Sequence, residues 1–79
     1  MPNVWRERGF RFFFYSEERN EPPHVHVASG HGYAKIWLGP PVVFAASSDY
    51  GPRDLRTVIE IVRQQRELME KAWYDHFGT

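Results

Sequence analysis

The sequence predicts an α+β fold: a small four-stranded, largely antiparallel sheet with one long C-terminal helix packed on one face. Three observations carry this expectation. Residues 22–27 read Pro-Pro-His-Val-His-Val. Two prolines fix φ and withdraw two N–H donors, so the chain enters the next segment extended, and the alternation behind them has the period of a half-buried strand. Elsewhere between residues 9 and 51, runs rich in aromatic and β-branched residues are separated by Gly, Pro, Ser and Asp, the punctuation of hairpins. From Leu55 to Phe77 apolar residues recur at helical spacing, behind Pro52 and ahead of Gly78, which suit a helix's first turn and its left-handed end.

Taken in order, residues 1–9 place Trp5 among Arg6, Glu7 and Arg8 without a clean period, which fits a short edge strand or an arm. Residues 10–15 form the first clear strand, with Phe10, Phe12 and Phe14 on one face and Arg11, Phe13 and Tyr15 on the other. A polar loop, residues 16–21, leads to the double proline. The next strand, residues 24–28, turns Val25 and Val27 toward the core and His24 and His26 to the opposite face. Ser29-Gly30-His31-Gly32 is then a hairpin turn whose glycines supply positive φ. Pairing Ala28 with Tyr33 sets Val27 against Ala34, His26 against Lys35, Val25 against Ile36 and His24 against Trp37; a slip of one residue would mix the faces.

Gly39-Pro40-Pro41 breaks this third strand, and residues 42–46 make a fourth. Asp49 or Gly51 is positioned to cap the helix. Its stripe runs through Leu55, Val58, Ile59, Val62, Met69, Ala72, Trp73 and Phe77, with Glu67 and Lys71 paired at i,i+4 and Gln65 and Arg66 at a solvated margin or extending over the core rim. The expected core is Val25, Val27, Ile36, Val58, Ile59 and Val62.

A chain of 79 residues supports a single domain, residues 1–79, with one small core. The absence of cysteine excludes disulfides, thiolate metal sites and a cysteine nucleophile. Ten basic residues balance ten acidic ones, unlike the basic footprint of a dedicated nucleic-acid binder. The longest apolar run, residues 42–46, is far too short for a signal peptide or membrane span, so the expected setting is the reducing cytoplasm, with no membrane contact.

The candidate binding residues are those expected on the outer sheet face: His24, His26, Tyr33, Lys35, Trp37, Arg11 and Tyr15. Side chains two apart on a strand are about 7 Å apart, so two imidazoles can reach one ion. Two ligands do not complete a site, however. His31 falls in the hairpin turn and His76 at the far end of the helix, while Glu17, Glu18 and Glu21 offer carboxylates only from a loop. No metal and no cofactor is therefore assigned. His24, His26 and Lys35 also supply the groups of a metal-independent ribonuclease, with Tyr33 and Trp37 to stack on bases. That spacing has little specificity, so no catalytic residue is assigned and this reading stands as the alternative. The leading reading rests on Phe13, Tyr15, Tyr33 and Trp37, which would leave a large apolar patch on a lone monomer and so call for a partner. Histidines within that patch should make the association loosen as pH falls through about 6.5.

Residues 10–15, the Pro-Pro-His-Val-His-Val segment, Gly-Tyr-Ala-Lys-Ile at 32–36, Pro-Arg-Asp-Leu at 52–55 and Glu-Lys-Ala-Trp at 70–73 resemble a family of small bacterial proteins. It is the domain of unknown function numbered four-one-six-zero, and the resemblance covers nearly the whole chain. Many relatives carry Asp-His or Asn-His shortly before the prolines, where this chain has Asn20-Glu21; that departure removes a candidate third histidine. The resemblance implies one member of a two-gene unit similar to a toxin–antitoxin pair, without an established activity. Together these readings describe a small cytoplasmic interaction module that binds a protein partner, or its own copy as a homodimer, through the outer sheet face. The alternative is a nucleic-acid-binding or ribonuclease-like protein using His24, His26 and Lys35.

Overall fold

The computed structural model describes residues 3–15 and 20–78. Five strands come first: β1 (Asn3–Glu7), β2 (Phe10–Phe13), β3 (His24–Ala28), β4 (Tyr33–Trp37) and β5 (Val43–Ser48). Two helices come after them, α1 (Pro52–Gln64) and α2 (Arg66–Phe77). The strands lie side by side in chain order and every pairing is antiparallel, so the sheet is a meander.

The expected α+β class holds, with two corrections. The sheet has five strands rather than four, because Asn3–Glu7 pairs with β2. A register shift between Asn3 and Trp5 interrupts the alternation there, which is why no clean period is visible in that stretch. Arg8 (φ 53°) and Gly9 (φ 83°) both adopt positive φ in the two-residue turn between β1 and β2, as the tight hairpin twist requires. The second correction is that the single long helix is two, parted at Gln65 (φ −105°, ψ 16°). Of the two places expected for Arg66, a solvated margin or the core rim, the half-buried side chain takes the rim. Its Nε donates to the Leu38 carbonyl (2.7 Å), and its Nη2 donates to the Gly39 carbonyl (2.9 Å) and to Glu70 (3.1 Å). The guanidinium thereby ties the start of α2 to the chain leaving β4.

The β3–β4 register has all five expected pairs, from Ala28 opposite Tyr33 to His24 opposite Trp37. The turn between them differs in its chemistry, since positive φ among the described glycines falls at Gly9, Gly39 and Gly78 and not at Gly30 or Gly32. Gly32 is required for space: a methyl group there would overlap the Tyr50 ring. Tyr50 donates to Ser29 Oγ (3.1 Å) and stands edge-on to Phe10 and His31. The fourth predicted strand is shifted to Val43–Ser48, leaving Val42 buried ahead of it. Gly51, not Asp49, is the N-cap of α1, and Gly78 ends α2 in the left-handed region with its N–H on Tyr74 O. Lys71 pairs with Asp75 (2.8 Å) rather than with Glu67.

The core lies between one sheet face and the helices. Val25, Val27, Ile36, Val58 and Val62 are fully buried, as expected, with Ile59 at the rim. Phe12, Phe14, Leu38, Ile61, Met69 and Trp73 are among the other residues of this cluster. Burial of such side chains, at about 1.5–3 kcal/mol each, is what holds two short helices to the sheet.

Candidate functional site: the outer sheet face

Cross-strand pairing arranges the outer face in rows. One runs Arg6, Arg11, Ala28, Tyr33, Ser48; the next Phe13, His26, Lys35, Ala46; the third His24, Trp37, Val43. All seven candidate binding residues are thus gathered on one surface or, for Tyr15, directly beside it, since its ring lies 4.4 Å from that of His26.

The two histidines are on this face but are not presented to solvent. His24 is 0 % and His26 3 % exposed. His26 stacks on Phe13 (5.7 Å between centroids) and Tyr33 (5.8 Å) and meets Tyr15 and His24. Its Nδ1 is 2.6 Å from the Tyr33 hydroxyl, which donates to it or accepts from it according to the tautomer. His24 lies at the end of the sheet where α2 comes close, between Trp37 (5.4 Å) and Trp73 (4.9 Å). Since a carbonyl only accepts, His24 Nδ1 carries a proton and donates it to Pro22 O (2.9 Å). The outer face therefore has its own small aromatic core. Both imidazoles are enclosed by neighbouring side chains rather than presented at the surface.

Glu21 organises the polar side. One of its carboxylate oxygens accepts from Lys35 Nζ (2.8 Å) and lies 3.6 Å from His24 Nε2. Lys35 also sits over the Trp37 ring, 4.7 Å from its centroid, so its charge is matched twice. Among the described residues no group of three or more metal-ligating side chains converges. Glu17 and Glu18, the other loop carboxylates considered, lie outside the described residues. His31 turns to Asp54 (3.2 Å), and His76 packs on Phe14 and Phe77. The face thus offers ring surfaces, the Lys35–Glu21 ion pair and two enclosed imidazoles.

Two features escaped the sequence reading. Arg6, in a stretch without periodicity, proves to be the cross-strand partner of Arg11. The second is the exposure of β5, a predicted strand whose six residues all prove exposed, including Val43 (44 %) and Phe44 (37 %). Its lack of any charged residue was the available signal.

Fold and face together define a meander α+β domain with helices on one side and a closed ring cluster on the other. Residues 9–74 match the domain of unknown function DUF4160, and the chain belongs to that family. Comparison with curated proteins and with solved structures returns no match. No helix among the described residues is long and apolar enough to cross a membrane.

Proposed function

We propose that this chain is a protein-interaction module that associates through the β5 edge and the adjoining outer face, with a second copy of itself when alone and with a partner protein in the cell. The observation that carries this reading is β5. It is the last strand of the sheet, and among the described residues no strand pairs with its outer side. Natural edge strands are ordinarily blunted by charge, and β1 at the other edge carries Arg6 and Glu7. Val-Phe-Ala-Ala-Ser-Ser has none. A two-fold antiparallel pairing of β5 with its copy sets Val43 opposite Ser48, Phe44 opposite Ser47 and Ala45 opposite Ala46, so like charges never meet. The family resemblance, with its two-gene arrangement, suits a hetero-partner that adds a strand at the same edge.

The ribonuclease-like alternative has less support, because both imidazoles are enclosed and Lys35 is already paired with Glu21. Sedimentation at tens of micromolar tests the proposal. Wild type should show a dimer, and Val43→Lys with Ser48→Lys, both exposed edge positions, should return it to monomer with an unchanged circular dichroism spectrum. A wild-type monomer that also fails to bind the product of the neighbouring gene would end this reading.

A further inference from the structure

We propose that Arg6 and Arg11 form a binding site for a phosphate monoester, at the opposite edge of the sheet from β5. The two residues are direct cross-strand partners on the outer face. Directly opposed side chains have Cβ atoms about 4.5–5.5 Å apart, and like charges placed so repel. Nothing among the described residues relieves this: neither guanidinium has an ion pair or a side-chain hydrogen bond there. Glu7, next to Arg6 in the chain, accepts from Trp5 Nε1 (2.9 Å) and lies 3.9 Å from Arg8, and its strand position faces the other way.

The pair also lines a hollow, together with Gly9, Ala28 and Ser29. Ala28 is the cross-strand neighbour of Arg11 on the other side, so a short side chain leaves room where a larger one would fill the row. Arg11 makes a cation–π contact, its Cζ 4.8 Å from the Phe13 ring centroid. A guanidinium has five N–H donors, and a ring contact does not use them all. A positioned Arg11, a second arginine beside it and a small-residue floor are the parts of an oxyanion site.

The charge count selects the ligand class. Two guanidiniums in one hollow, without an ion-pair partner among the described residues, suit a tetrahedral dianion that can accept from both, and a phosphate monoester carries close to two charges at neutral pH. A nucleic-acid backbone offers one charge per phosphate and needs a track of cations. The row continues from Ala28 into Tyr33 and Ser48, and Lys35 in the next row is paired with Glu21, so no such track runs along this sheet face among the described residues.

The test is a titration of the full chain with phenyl phosphate at constant ionic strength and pH 7.5, monitored by NMR of the Gly9 and Ser29 amides and the arginine Nε–H signals. Saturable shifts at millimolar concentration are expected, weakened tenfold or more in Arg6→Gln/Arg11→Gln. Dimethyl phosphate, a monoanionic diester, should bind at least tenfold more weakly than phenyl phosphate. The double variant should melt at or above the wild-type temperature in low salt, because a repulsive pair has been removed; a merely structural pair would give a lower one. Should that variant not fold, Arg6→Gln alone, exposed on an edge strand, serves the same comparison. Absence of saturable shifts, or shifts that survive in the variants, overturns the proposal. Tighter binding of an oligothymidylate through the same signals replaces it with a nucleic-acid site. None of these results bears on association through β5.

Discussion

Replacing Arg66 by methionine keeps most of the aliphatic stem and removes the guanidinium that joins α2 to the end of β4. Three contacts are lost, and they are not equal. The bond to Leu38 O is short (2.7 Å) and partly buried, and a hydrogen bond to a charged group contributes about 1.5–3 kcal/mol. The bond to Gly39 O is exposed, so water replaces most of it. The Arg66–Glu70 pair is a partly exposed i,i+4 contact (3.1 Å), for which about 0.3–0.5 kcal/mol is usual. The sum is a loss of about 2–3 kcal/mol, which for a domain this small lowers Tm by roughly 10–20 °C. Urea denaturation read by tryptophan fluorescence and by circular dichroism measures it. Arg66→Lys should recover less than half, because an ammonium cannot serve Leu38 O and Gly39 O with the same fork. A loss under about 0.5 kcal/mol, the range of an ordinary surface substitution, would refute the view that this clamp holds the two helices in their bent arrangement.

Gly32→Ala should destabilise by on the order of 1–3 kcal/mol, as overpacking does, because the Tyr50 ring occupies the methyl's place; a second substitution, Tyr50→Leu, should recover part of that loss in the same melting assay. Tyr50→Phe alone should cost about 0.5–1.5 kcal/mol at neutral pH through the lost bond to Ser29. Its pH dependence has a defined sign. Burial, with a smaller contribution from the Asp54 charge, raises the Tyr50 hydroxyl above its ordinary 10.0 against the lowering effect of Ser29. The folded state therefore favours the neutral phenol, so this contribution is intact below about pH 10 and is lost as pH rises through the folded value. Denaturation curves at pH 8 and above 10 should accordingly converge for wild type and Tyr50→Phe, and a constant difference between them would contradict the assignment.

What could be read from the residues alone was whatever strand or helix period expresses. The β3–β4 register was legible because a one-residue slip would carry Val25 and Val27 out of the core. Strand β1 was legible only as one of two alternatives, an edge strand or an arm, since its bulge near Trp5 breaks the alternation that would decide between them. The division at Gln65 was also hidden: the partners of Arg66 are the carbonyls of Leu38 and Gly39, and local periodicity says nothing of so distant a contact. For the site, alternation told which side of the sheet His24 and His26 take. It did not tell whether that side is covered. Burial of those rings depends on Tyr15 folding back from beyond β2 and on Trp73 arriving from α2, which are tertiary facts.

The meander has a kinetic consequence. Each ladder joins strands adjacent in the chain, so no strand must be threaded between two already paired, and the topology belongs to those that fold quickly for their content of sheet. The β1–β2 and β3–β4 hairpins close over short connections, whereas β2 and β3 are separated by residues 14–23. Closure entropy grows with the logarithm of loop length, so joining the two hairpins should be the costliest step in building the sheet. Phe13 ends β2 and Tyr15 lies near the start of that connection, whereas His24 and His26 stand beyond it on β3. The ring cluster of the outer face can therefore assemble only as the halves of the sheet meet, and enclosure of His26 should report the moment at which they do.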